Sequence, residues 1–270
     1  MFRKKVLCCS LILSALVLSK LYSNPNTIAA GDDKIITVKA PSNLSNGEDE
    51  KEKNENNDNN NDHYLSSLTF ANDTLPINRP HVESKLLRYF KNFSFKKRGS
   101  YSLHKKAEAY LPQIEKILAS YGIPEDFKYV PLVESGLDRG VVSSKGAGGY
   151  WQFMPATARL YGLKVNGNVD ERRDLTKSTH AAAKYIKSLY KQFGNWTLVA
   201  AAYNVGGGSL KGSIRRQKED SYYNLKLNNE TGSYVYKLIS MKEIIENPEK
   251  HGYTRYANRT DQKDPNENML

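Results

Sequence analysis

From Val82 onward, apolar side chains recur every three or four residues, and no stretch alternates convincingly with the period of two that a strand needs. Val82, Leu86, Phe90 and Phe93 share one helical face, and Leu103, Ala107, Leu111, Ile114, Leu118 and Tyr121 share another. Gly122 and Pro124 end the second run, and Pro112 inside it predicts a kink or a restart. A short helix is expected from Pro124 to Ser135. A longer one, capped by Ser178 or Thr179, should run to Phe193 and stop at Gly194. Trp196–Asn204 and Glu230–Glu246 complete the set, with Pro248 ending the last. The chain should therefore be a single, nearly all-α globular domain.

The remaining segments set its limits. Arg3-Lys4-Lys5 precedes a mostly apolar run from Val6 to Leu18, too short for a comfortable membrane span and followed by polar sequence. Residues 1–23 read as an export signal, cleaved after Ser19 or Ser23; a retained, loosely membrane-associated helix is the alternative. Cys8 and Cys9 both fall inside this signal, too early for a lipid-modified cysteine, so the mature chain needs no disulfide. Ser42 to His63 is mostly Asn, Asp, Glu and Lys and has too little to bury, so 24–74 is expected to be a disordered linker, with at most a short strand at Ile35–Val38. The folded domain is placed at 75–255 and a polar tail at 256–270.

Charge bounds the partners. The chain carries +11; removing residues 1–23 takes away four cations and no acid, leaving +7. That suits cell wall, anionic lipid or nucleic acid equally. No basic run interleaved with aromatics points to nucleic acid, and no Cys/His cluster has metal-ligand spacing.

Four short motifs carry candidate chemistry. Glu134 ends the run Tyr129-Val-Pro-Leu-Val-Glu-Ser-Gly136. Beside Leu132 and Val133 its carboxyl can lose solvent, which disfavours the charged form and keeps an acid protonated. Read alone, it is more plausibly an exposed glutamate at a helix end. Ser143–Gln152 holds three glycines within four residues, followed by Tyr150 and Trp151, which suit either a sugar-stacking role or the core. Ala200–Gly208 places Tyr203-Asn204 where a small-residue helix gives way to glycines. Glu230-Thr231, with Tyr234-Val235 following, opens the last helix, where Glu230 can complement the helix dipole.

In this order, with Phe153-Met154-Pro155 after Gln152, the motifs resemble the lytic transglycosylases, the SLT family of the lysozyme-like superfamily. Asp170-Glu-Arg-Arg-Asp-Leu175 looks most like the membrane-bound lytic murein transglycosylase D branch. The resemblance spans about Ser100 to Tyr253. It implies a mostly helical α+β lysozyme-like fold and peptidoglycan as partner, without cofactor, metal or nucleic acid, in a monomeric protein of the periplasm or cell envelope. It implies Glu134 as the catalytic acid, and Ser135, Ser143, Gln152, Met154, Tyr203, Asn204, Glu230 and Tyr234 as substrate-binding residues, with the Tyr203 hydroxyl close to the acid. Tyr150 stands where the family often has Leu, a mild departure. C-terminal wall-binding repeats common in that branch are not expected after Tyr253.

The resemblance further implies that no second carboxylate is needed. Asp138 is the nearest in sequence, but Gly136 intervenes and breaks the helical spacing. A lysozyme-like hydrolase and a non-catalytic wall-binding protein are the rival readings.

Overall fold

The computed structural model describes residues 64–254. The expected export signal with both cysteines, the Asn-rich segment, the strand at Ile35–Val38 and the tail from Ala257 lie outside the described residues. Within them the protein is largely helical, as its periodicity requires. A helical turn at 64–66 leads into a two-stranded hairpin, β1 (Thr69–Phe70) and β2 (Asp73–Thr74). Then follow α1 (Pro80–Phe93), α2 (Phe95–Arg98), α3 (Ser102–Ser120), a 3-10 turn (Glu125–Tyr129) and α4 (Val130–Ser135). After the Gly-rich loop come α5 (Pro155–Leu160), a 3-10 turn (Glu171–Arg173), α6 (Leu175–Phe193) and α7 (Trp196–Val205). The chain continues with α8 (Gly207–Gln217), α9 (Thr231–Glu246) and a closing 3-10 turn (Glu249–His251). No helix among the described residues is long and apolar enough to cross a membrane.

Helix α9 is the axis of the fold. Its burial runs nearly all round, from Ser233 through Met241, so it is enclosed rather than half-exposed. Helices α1, α4 and α7 and the turn at Glu125–Tyr129 pack around it. Helix α6 joins α3 to α7, and α8 lies against α7. Ala181–Ala183 on α6 and Ala200–Ala202 on α7 are all buried. Their small side chains let these helix backbones approach closely.

Several local outcomes differ from the sequence reading. Helix α3 runs through Pro112 without a break. Leu111, Ile114 and Leu118 are buried along it, and that packing outweighs one missing N–H. The segment from Pro124 to Ser135 divides into a 3-10 turn and α4, because Pro131 cannot donate the bond that would carry one helix through. The cap of α6 is Asp174, which accepts from the Lys177 amide at 2.8 Å; Ser178 and Thr179 are buried inside the helix instead. Helices α5 and α8 were not foreseen. Gly206, which ends α7 at φ 87°, is followed directly by α8, so the glycine run that reads as a stop is also a start.

The packed chain also begins earlier than the start near Leu75. Leu65, Leu68 and Phe70 are buried. Phe70 meets Phe127 at 5.5 Å between ring centroids, and the Ala71 amide donates to Asp126 Oδ2 at 2.7 Å. Ala71 and Asn72 take the left-handed conformations that let the hairpin turn in two residues.

Candidate active site

Glu134 sits in the last turn of α4. Gly136, at φ 62°, ends the helix there: its amide bonds to Leu132 and that of Leu137 to Pro131. The stop turns the chain away, leaving Glu134 partly buried between α4 and the first turns of α9. Tyr234, one turn into α9, donates its hydroxyl to Glu134 Oε1 at 2.6 Å.

Burial pushes the Glu134 carboxyl up to about 7, the neighbouring Glu230 charge adds to the rise, and the Tyr234 hydrogen bond and the Lys237 charge oppose it. A carboxyl with that balance exchanges its proton near neutrality, as a group that must act as both acid and base requires. Tyr234 itself is held well above the usual phenol range, chiefly by burial, so it stays a donor.

The carboxylate whose charge bears on Glu134 is Glu230, at the N-cap position of α9. Asp138 is exposed and its Oδ1 accepts from the Gly140 amide in its own turn. The Thr231 amide is taken by Asn228 Oδ1 at 2.9 Å, so Glu230 does not serve as a side-chain cap. Asn204 bridges the two helices: its Nδ2 donates to Glu230 Oε1 at 3.3 Å and its Oδ1 accepts from the Thr231 hydroxyl at 2.9 Å. Asn204 at the end of α7 thus meets the start of α9.

The Tyr203 hydroxyl, however, donates to the Trp151 carbonyl at 2.8 Å. The tyrosine bonded to the acid is Tyr234, whose position three residues after Thr231 turns it onto α4. Tyr203 lies near Tyr234 on the same side of the site.

The Gly-rich loop is a built wall rather than a flexible strap. Ser143 and Ala147 exchange two bonds, amide to carbonyl at 2.8 Å and Ala147 amide to Ser143 Oγ at 2.9 Å. Gly148 bridges both Val142 and Phe153. Trp151 is fully buried, with Nε1 donating to Thr179 Oγ1, and Tyr150 is buried as well, so both aromatics belong to the core and not to a sugar-stacking surface. Ser135 is also turned inward: its hydroxyl reaches the Pro131 and Tyr150 carbonyls and ties α4 to this loop. Ser135 and Ser143 therefore spend their hydroxyls on backbone. Gln152, at φ 49°, gives its amide nitrogen to Val141 and Gly149, while its Oε1 is buried with no protein partner. Met154 is partly buried at the N-cap of α5.

Arg172 was missed by sequence reasoning. Its Nε and Nη2 grip Asp170 at 2.8 Å each, and its Nη1 donates to the Gly146 and Phe153 carbonyls at 2.7 and 2.9 Å. It closes the two ends of the loop. The glycines answer it: a Cβ on Gly149, at φ 74°, would stand 2.0 Å from the Arg172 carbonyl oxygen. The Asp170-x-Arg172 spacing was visible, but the carbonyls that the arginine grips lie 26 and 19 residues away in sequence. Among the described residues, no group of three or more His, Cys, Asp or Glu side chains could hold a metal ion.

The family model for the transglycosylase SLT domain matches residues 112–226. A putative tributyltin chloride resistance protein from Alteromonas sp. (strain M-1) is 31% identical over 147 residues, 53% of this chain and 71% of that one. The chain belongs to the transglycosylase SLT domain family. It is also 33% identical over 191 residues to the membrane-bound lytic murein transglycosylase D of Escherichia coli (strain K12), across 68% of this chain and 41% of the relative. The chain thus spans about two fifths of that relative's length. Among solved structures, the 70 kDa soluble lytic transglycosylase SLT70 of Escherichia coli matches with a TM-score of 0.45 at 18% identity, over 66% of this chain and 30% of that one. The domain match includes Glu134, the Gly-rich loop and Tyr203-Asn204, but stops before Glu230 and Tyr234.

Proposed function

We propose that this SLT-domain protein is a peptidoglycan lytic transglycosylase, exported to the periplasm or cell envelope. It cleaves the β-1,4 bond between N-acetylmuramic acid and N-acetylglucosamine and leaves a 1,6-anhydro end. The observation that carries this reading is Glu134: a carboxyl kept protonated up to about pH 7 and hydrogen-bonded by Tyr234.

The steps need one titrating group. Protonated Glu134 gives its proton to the glycosidic oxygen as the bond to C1 breaks. The 2-acetamido oxygen of the muramic acid supplies the electron pair to C1, the substrate-assisted exception to the two-carboxylate rule. Tyr234 and Lys237 favour the carboxylate that results. Glu134 then takes the proton of the sugar's own 6-hydroxyl, O6 closes on C1 and the acetamido oxygen leaves. Glu134 ends protonated and no water is added. The roles of Gln152, Met154, Tyr203 and Asn204 are to line the sugar cleft. Ser135 and Ser143 act one layer back, by holding its wall.

A second reading has a specific observation behind it. Glu230 carries a charge near enough to Glu134 to raise its pKa, and a second carboxylate beside the acid is what a hydrolase would use to activate water. Mass spectrometry of the muropeptides released from purified wall separates the two. Transglycosylation gives anhydro ends lighter by one water; a product set made only of reducing ends would sink the proposal and favour the hydrolase.

A further inference from the structure

Between Ser84 and Ala107 the chain has eight Lys or Arg residues and no Asp or Glu, although acids make up much of its charge elsewhere. The fold uses two of these cations at the active site's border. Lys85 on α1 donates to the Gly232 carbonyl and Lys106 on α3 to the Gly136 carbonyl, each at 3.0 Å. Gly232 lies two residues before Tyr234 and Gly136 two after Glu134. The helices α1 and α3 therefore flank the two backbone segments that carry the acid and its tyrosine.

The outer cations continue from that border. Helix α1 buries Val82, Leu86, Phe90 and Phe93, which turns Arg88 and Lys91 outward. Helix α2 buries nothing and exposes Lys96 and Lys97, and Lys105 is exposed in the first turns of α3. Four residues cannot sustain a helix alone. Here the Phe95 ring packs on Tyr101 at 4.8 Å and on Tyr253 at 5.4 Å, while the Tyr253 hydroxyl donates to the Phe93 carbonyl at 2.5 Å. The cations ride on a corner pinned by aromatic contacts rather than on a loose tail. Gathering like charges on a rigid surface is unfavourable unless a polyanion meets it.

We propose that the outer face of α1, α2 and the start of α3 docks the carboxylate-bearing peptide stems of a glycan strand whose cleaved unit lies at Glu134. This rests on the peptidoglycan reading above. A strand that runs from the acid across the border held by Lys85 and Lys106 would carry its stems, with their repeating negative charge, past five exposed cations. The surface is less suited to lipid, since Leu87 is the one large exposed aliphatic it presents and it offers little apolar area to add to its charge.

The test uses the full chain. Lys91→Gln/Lys96→Gln/Lys97→Gln, placed on a non-cutting Glu134→Gln background, is compared with Glu134→Gln alone for sedimentation with purified insoluble wall across a salt series. The expected result is wall affinity weaker on the order of tenfold at low salt, with a shallower salt dependence. Both variants should bind alike to wall stripped of its stems by an amidase. With Glu134 restored, the triple variant should cleave a short, stem-free glycan at the parental rate. Unchanged wall binding would overturn the proposal, as would a loss that persists on stem-free glycan. Salt-sensitive binding to anionic phospholipid vesicles but not to wall would overturn it in favour of lipid. Catalytic failure is read separately: if Glu134→Gln still cut the wall, the mechanism would fall while the docking comparison stood.

Discussion

The Tyr234 hydroxyl, one hundred residues downstream, donates a 2.6 Å hydrogen bond to Glu134 Oε1. It favours the carboxylate, against the burial that favours the neutral acid. Tyr234→Phe removes that counterweight, so the Glu134 pKa should rise above its present value of about 7. The alkaline limb of kcat/KM should move to higher pH, with the maximal rate down on the order of tenfold. An unmoved limb in a folded Tyr234→Phe protein would show that the bond does not tune the acid.

Glu134 should also leave a mark on stability. The folded protein holds this proton up to about pH 7, against about 4.5 for an ordinary glutamate. Between those values the native state binds more protons than the unfolded one, so stability falls as pH rises through the window. The loss is complete above pH 7 and amounts to at most about 3 kcal/mol. Glu134→Gln carries no such charge. Its melting temperature should match the parent's near pH 4 and exceed it near pH 8; parallel melting curves across that range would refute the linkage.

Gly149 and Gly146 make a matched pair. Both have positive φ, but a Cβ at Gly146 meets open space while one at Gly149 meets the Arg172 carbonyl at 2.0 Å. Gly146→Ala should therefore cost only about 1 kcal/mol of left-handed strain. Gly149→Ala must also displace backbone, and should cost several-fold more and reduce wall cleavage with it. Denaturant unfolding of the two variants decides; equal losses would mean that the clash relaxes freely.

Arg172 is nearly buried against Asp170, whose carboxyl its bonds hold below the usual range. Arg172→Met leaves Asp170 without that partner and removes a donor from both the Gly146 and Phe153 carbonyls. The expected loss is about 3–5 kcal/mol. Hydrogen exchange should rise first in residues 143–153, the segment it clamps. A uniform rise across the domain would show instead that the ion pair supports the whole fold.

The contribution of the sequence can be judged residue by residue. Apolar spacing located α1, α3, α7 and α9 because each buries a continuous stripe or core, and burial of that kind writes itself into local order. The same logic failed at residues 64–74, where a few apolar side chains close a tight hairpin onto Phe127 and Asp126 and leave no period to read. The ordered motifs brought Glu134, Asn204, Glu230 and Tyr234 into view as one set. They did not say which tyrosine would touch the acid. That was decided by the register of α9 against α4, which puts Tyr234 on Glu134 and leaves Tyr203 on the Trp151 carbonyl. Nor could they show that Ser135 and Arg172 face inward, since hydrogen bonds to distant carbonyls have no sequence signature. Sequence alone determined a helical fold and the residue types of the site. Only tertiary packing, by removing water from one carboxyl and choosing its partners, made Glu134 an acid poised near neutral pH.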